Sequence, residues 1–228
     1  MTEKTNHPAT LSEMSWGFDR RNDYYSSSNT IYSKGTEIYF NACVSDNTIT
    51  SLIKEFQSVM DNYKKSNETL YKNDGNAPWI TLFIDSGGGS VSACFRFVDY
   101  VDIIRTEGKI QGLTTVITGC AASAATIMAV VGDERLMTKN AISMIHELWS
   151  GSSGQYTHLA SYMQILTYLH ERIIEIYNEY TGRTIEDLKG LLAKESWYSA
   201  KQYLEEGFIT AIYNDDTDKK KNKRKRIE

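Results

Sequence analysis

The chain has 228 residues, 41% of them hydrophobic and 24% charged, which fits one globular domain with appendages and excludes a fibrous or collagen-like chain. No apolar run approaches the roughly 20 residues that span a bilayer, and residues 1–29 lack the apolar centre of a signal peptide, so a cytoplasmic protein without membrane contact is expected. The formal net charge of −4 hides an acidic body and a basic end, Lys219, Lys220, Lys221, Lys223, Arg224, Lys225 and Arg226. Nothing aromatic accompanies that run, so it reads as a solvated tail rather than a nucleic-acid arm or an address. Cys43, Cys94 and Cys120 have no metal-type spacing and read as reduced, packed thiols.

Residues 1–29 are polar with scattered aromatics and read as an arm. The run 37–44 reads as a strand. Asp46 is placed as the cap of a helix whose apolar positions Ile49, Leu52, Ile53, Phe56, Val59, Met60 and Tyr63 keep a 3.6-residue period. Residues 64–77, with Asn-Asp-Gly inside, read as a loop. The apolar run 79–84 reads as a buried strand. Ser86-Gly87-Gly88-Gly89-Ser90 follows, and then a helix with Val91, Cys94, Phe95, Val98 and Val101 on one face. Strands are expected over 113–118, 135–138 and 142–145, with a helix over 126–131 after the first. The histidine that follows the last of these is brought back by that helix and a hairpin. A helix over 156–180 carries Leu159, Met163, Leu166, Leu169, Ile173, Ile176 and Tyr180. At about 37 Å it is too long for one domain to cover. Gly182 ends it, Thr184 starts a shorter helix, Ser199 to Gln202 is a capping box, and 208–213 reads as a last strand. Strands and helices alternating at this spacing imply an α/β fold with a mostly parallel sheet and crossover helices.

Gly119-Cys120-Ala121-Ala122-Ser123-Ala124-Ala125 turns a strand into a helix. Small neighbours leave the Ser123 hydroxyl clear, and the unpaired N–H groups of a helix start lie beside it. The competing reading is a small residue in a tight packing contact. For a nucleophile, the Ala124 N–H is half of an oxyanion hole, and the Gly-rich loop can supply the other half by letting backbone N–H groups approach a carbonyl. That loop has neither G-x-G-x-x-G nor Gly-Lys-Ser/Thr spacing, so a phosphate site is the weaker reading. His146 follows a strand at the edge where α/β sheets place their sites. His7, His158 and His170 fall in the arm or on the long helix. Glu147, Glu171 and Glu195 are the open choices for a carboxylate behind the histidine.

Ile84-Asp-Ser-Gly-Gly-Gly-Ser-Val91, Gly119-Cys-Ala-Ala-Ser-Ala124, Met144-Ile-His146 and Trp197-Tyr-Ser-Ala200 stand in the order and spacing of ClpP-type serine peptidases, the proteolytic subunits of Clp proteases. The resemblance covers residues 31–212. It implies a crotonase-like ClpP fold, a βαβ superhelical core with a projecting handle helix, over a domain at 31–213. An arm at 1–30 and a disordered basic tail at 214–228 flank it. It also implies Ser123 as nucleophile, His146 as general base, and Gly89 and Ala124 as oxyanion donors. Counting back from Trp197 gives Glu195 as the third member, where the family has Asp. Substrate backbone is expected against Gly88, Ser150, Gly151 and Ser152. The implied assembly is two stacked heptameric rings, with a Clp-type ATPase unfoldase feeding unfolded polypeptide. ATP is used only by that partner, and no cofactor or metal is implied for the chain itself.

The sequence departs from the family at Gly87 (usually Pro), at Ala193 and Lys194 beside Glu195, and at Thr81 on the expected docking surface. A Lys cannot form the bidentate fork of an Arg. The alternatives are a catalytically weak or inactive scaffold subunit of the same fold and, third, an acyl-CoA enzyme of the wider crotonase-like superfamily.

Overall fold

The computed structural model describes residues 29–70 and 77–214. The arm read over 1–30, apart from its last two residues, and the tail read over 214–228, apart from Asn214, lie outside the described residues, as do residues 71–76 of the loop.

The described chain contains eight strands and six helices: β1 (Thr30–Lys34), β2 (Glu37–Asn41), α1 (Asp46–Leu70), β3 (Trp79–Ser86), α2 (Val91–Thr106), β4 (Gly112–Ala122), α3 (Ala124–Val130), β5 (Glu134–Thr138), β6 (Ile142–Ile145), α4 (Tyr156–Thr181), α5 (Ile185–Leu192), β7 (Ser196–Ser199), α6 (Ala200–Glu205) and β8 (Ala211–Tyr213). The strands form one sheet in the order β1-β2-β3-β4-β5-β8, with β6 branching from β4 and β7 from β6. Neighbours from β2 to β8 run parallel, whereas β1 and β7 are antiparallel edges. The α/β architecture is therefore the expected one, with crossover helices between parallel strands. The central strands are apolar on both faces, as a sheet covered by helices requires: Ile80, Leu82, Ile84, Leu113, Val116 and Ile117 are all fully buried. Ile49, Leu52 and Phe56 of α1 and Phe97 and Val101 of α2 close one side of this core.

Several elements differ from the sequence reading. β1 was absent from it, because residues 30–34 alternate exposed and half-buried positions and never bury an apolar face. Its hairpin with β2 turns at Gly35, whose φ of 62° suits glycine. α1 is capped by Ser45, not Asp46: the Thr48 N–H donates to the Ser45 hydroxyl at 3.3 Å, and the Ser45 N–H donates to Thr48 Oγ1 at 2.9 Å. The same helix runs on to Leu70 through residues assigned to a loop, because good helix formers such as Lys64 and Lys65 need no core contact to continue it. Residues 196–199 form β7, too short to stand out as a strand. The last strand is only Ala211–Tyr213.

β4 is longer than expected and forks. Thr114 to Ile117 pair with β5, whereas Cys120 to Ala122 pair with β6. β5 and β6 both run parallel to β4, so the segment between them is no hairpin, contrary to the sequence reading. The fork begins at Gly119, where φ is 76° and an added Cβ would lie 2.9 Å from the Asp85 carboxylate. Asp85 Oδ1 accepts the Cys120 N–H at 3.0 Å and so holds the bend.

Among the described residues α4 buries side chains at its carboxyl end, Ile173, Ile174, Ile176 and Tyr177. Its amino-terminal half leaves Met163, Ile165 and Tyr168 more than half exposed. Gly182 caps it with φ 70°. Arg183 then ties the turn to α5 and α6 through Asp187 Oδ2 at 2.6 Å and Glu206 Oε2 at 2.7 Å.

Candidate active site

Three parallel strands, β3, β4 and β6, end at the same edge of the sheet, and each delivers one part of the site. Ser123 follows β4 at φ 55° and ψ −128°, a conformation that costs an L-residue strain and persists only where its surroundings impose it. Its N–H donates to the Met144 carbonyl at 2.8 Å, and its own carbonyl accepts the Thr126 N–H at 2.9 Å. Its side chain makes no capping bond to α3, so the hydroxyl stays available.

His146 comes from β6. The register Ala122↔Met144 sets the two strand ends side by side, and His146 lies just beyond. Its Nε2 is 2.8 Å from Ser123 Oγ. For Nε2 to accept the serine proton, the imidazole must carry its own proton on Nδ1. Burial holds His146 below its ordinary range; the charges of Glu195 and, more weakly, Glu147 pull it back only in part.

The Gly-rich loop comes from β3. Val44 bonds to it on both sides: the Val44 N–H donates to the Gly88 carbonyl and the Ser90 N–H to the Val44 carbonyl, each at 2.8 Å. Strand alternation then turns the Gly89 N–H away from Val44. The loop must be glycine here, since a Cβ on Gly89 would lie 2.2 Å from the Val44 carbonyl oxygen and one on Gly88 2.8 Å from the Ser123 Cβ. The N–H of Ala124, first residue of α3, has no acceptor one turn back within the helix. Gly89, Ser123, Ala124 and His146 line one cleft of about 180 Å³, walled on its apolar side by Ile127, Ile173 and Tyr177.

The other expected residues fall as follows. β7 runs antiparallel to β6 with Ile145 opposite Ser196, so Glu195 is the next position in line, beside His146. Its carboxylate is exposed and accepts the Trp197 indole N–H at 3.1 Å. It acts on His146 through its charge, with no hydrogen bond between the two among the described residues. Glu147 is exposed on the chain just past His146. Gly88 packs beneath Ser123 rather than lining the cleft. Ser150, Gly151 and Ser152 are exposed beyond the cleft mouth, and the Ser150 hydroxyl is hydrogen-bonded to that of Tyr162. Asp85, Thr126 and Tyr177 were not singled out from the sequence. Asp85 was visible only as the residue heading the glycine run, and nothing in the spacing of the other two marks them.

Fold and cleft together define an α/β protein with a serine–histidine couple at the carboxyl edge of its sheet. A family model described as Clp protease matches residues 43–216. The ATP-dependent Clp protease proteolytic subunit of Streptococcus uberis is 31% identical over 211 residues, covering 90% of this chain and 95% of the relative. The protein of the same name from Streptococcus mutans is 30% identical over the same shares. That from Streptococcus gordonii is 33% identical over 137 residues, 58% of this chain and 67% of the relative. The chain belongs to the Clp protease family and has its ClpP fold.

Proposed function

We propose that the protein is a serine endopeptidase that hydrolyses unfolded polypeptide inside a ring-shaped homo-oligomer. The observation that carries this reading is the 2.8 Å approach of His146 Nε2 to Ser123 Oγ in a cleft also lined by Gly89 and Ala124. As Ser123 Oγ attacks a peptide carbonyl, His146 takes its proton. The Gly89 and Ala124 N–H groups meet the charge that develops on the carbonyl oxygen. His146 then gives the proton to the leaving amine, and water repeats the sequence on the acyl-enzyme. Glu195 stabilises the imidazolium from beside the ring. These steps use side chains and backbone amides alone, so the chain needs no cofactor or metal of its own.

The assembly is two stacked heptameric rings, with the unburied half of α4 as the surface between them. A Clp-type ATPase supplies the unfolded substrate; the support for this is that the relatives are proteolytic subunits of ATP-dependent Clp proteases. Substrate backbone runs from the cleft along Ser150, Gly151 and Ser152, and Gly88, packed beneath Ser123, shapes the loop without touching substrate. The place of action in this reading is the cytoplasm; among the described residues no helix is long and apolar enough to cross a membrane.

The test is covalent labelling of the assembled protein with a fluorophosphonate. Labelling at Ser123, lost in Ser123→Ala together with peptide hydrolysis, is expected. Unlabelled protein in a tetradecamer would instead mark a scaffold subunit, and a stable monomer by native mass spectrometry would remove the chamber.

A further inference from the structure

We propose that Tyr177, at the packed base of α4, is a positioning residue for the nucleophile, acting through Thr126 on the Ser123 backbone. The inference rests on the peptidase reading above and adds a residue to it. The Tyr177 hydroxyl lies 2.6 Å from Thr126 Oγ1, and Thr126 Oγ1 lies 2.5 Å from the Ser123 carbonyl oxygen. Thr126 is fully buried and Tyr177 is 2% exposed, so neither hydroxyl exchanges its partner for water.

The direction of the chain of bonds follows from proton count. A carbonyl only accepts, so Thr126 spends its one proton on Ser123 and must itself accept from Tyr177. Burial raises the Tyr177 phenol well above its ordinary range, which keeps the proton on the donor. Bonds polarised in one direction strengthen each other in a low-dielectric interior.

The geometry gives this relay a task. Ser123 is held at φ 55°, and its carbonyl is fixed on one side by the Thr126 N–H and by the hydroxyl pair. Fixing that peptide plane fixes the Ala124 N–H, which lies in it, and helps to fix the Cα–Cβ bond from which χ1 aims Oγ at His146. The Tyr177 ring is kept in place by an edge-on contact with Phe208, centroids 5.7 Å apart at 87°. How α4 is seated is thereby transmitted to the serine, by a path separate from the cleft wall that the same ring forms.

The experiment compares parent, Tyr177→Phe, Thr126→Val, the double variant and Thr126→Ser as assembled full-length proteins. It reads kcat and KM on a short fluorogenic peptide and the rate of fluorophosphonate labelling. Tyr177→Phe and Thr126→Val should each lower kcat and the labelling rate about three- to ten-fold, the factor that one hydrogen bond carries, with KM changed by less than about two-fold. The double variant should fall no further than Thr126→Val alone, and Thr126→Ser, which keeps the hydroxyl, should regain most of the rate. Tyr177→Phe keeps the ring and its contact with Phe208; should Thr126→Val fail to assemble, it carries the test against Thr126→Ser. A Tyr177→Phe rate equal to the parent's, or losses that multiply in the double variant, would overturn the inference alone. A parent that is not labelled at Ser123 would overturn it together with the peptidase reading.

Discussion

The Trp197 indole N–H donates to Glu195 Oε1 at 3.1 Å, so the carboxylate beside His146 is held by a residue of β7 two positions further along the chain. It leans on the imidazole by charge alone. A carboxylate working that way contributes less than the base itself. Glu195→Gln, which keeps an acceptor for Trp197, should lower kcat by no more than about ten- to thirty-fold, whereas His146→Ala should cost about 10²–10⁴-fold. The two variants are compared on one short peptide. Equal losses would mean that Glu195 binds His146 directly during turnover.

The pH profile follows from the same pair. Burial lowers His146, so the base is already neutral at pH 7, and the acid limb of kcat/KM should reach half-height below about 6.5, the ordinary histidine value. Glu195→Gln removes a charge that raises His146 and should shift that midpoint lower still. The sign for stability is fixed too. The unfolded histidine takes up its proton at a higher pH than the folded one. Stability is therefore fully present above the ordinary value, falls as pH drops through the window down to the folded value, and levels off below it. A kinetic midpoint above 6.5 in the parent would contradict this account.

Local signals single out Ser123 and His146 but leave Ser123 open as a packing residue; their pairing, 2.8 Å apart here, is implied only by the four motifs taken together. A run of small residues between an apolar strand and a helix needs no knowledge of the rest of the chain, nor does a histidine that ends a strand. Glu195 is reached only through the resemblance, by counting back from Trp197, and the count cannot tell that the indole takes one carboxylate oxygen. The parallel pairing of β6 with the upper half of β4 was hidden for a different reason. Residues 135–138 and 142–145 look like two arms of a hairpin, and only the bend at Gly119 over Asp85 makes room for both beside one strand. Tyr177 and Thr126 lie 51 residues apart, and on α4 Tyr177 falls outside the apolar series that ran through Ile173, Ile176 and Tyr180. A contact made by two hydroxyls at that separation leaves no periodic trace.

Arg183 joins three elements at the base of α4. It binds Asp187 and Glu206, donates to the Glu206 carbonyl, and lies 5.8 Å from the centre of the Phe208 ring. The acidic partners are partly exposed, so solvent weakens each ion pair. Arg183→Ala should still cost about 1–2 kcal/mol, because the part-buried Glu206 carbonyl loses its donor as well. Arg183→Lys should recover less than half, since one ammonium cannot serve divergent acceptors as a guanidinium does. Equilibrium denaturation at matched protein concentration measures both. A lysine variant as stable as the parent would show that charge alone matters at this turn.

Two glycines should respond to alanine in opposite directions. Gly190 lies inside α5 with nothing within 4 Å of an added Cβ, so Gly190→Ala should stabilise by about 0.4–1 kcal/mol through the unfolded chain's lost freedom. Gly89 has φ 145°, and its added Cβ would sit 2.2 Å from the Val44 carbonyl oxygen, a backbone atom that cannot rotate away. Gly89→Ala must therefore break the Val44 bridge or distort the loop, at about 2–3 kcal/mol or more. The same distortion turns the Gly89 N–H out of the cleft, so the folded fraction should also lose activity, by about 10²-fold if the amide serves as an oxyanion donor. Denaturation gives the first number, and kcat per fluorophosphonate-titrated site gives the second. A Gly89→Ala protein with lowered stability but undiminished turnover per site would keep the steric argument and remove Gly89 from the oxyanion hole.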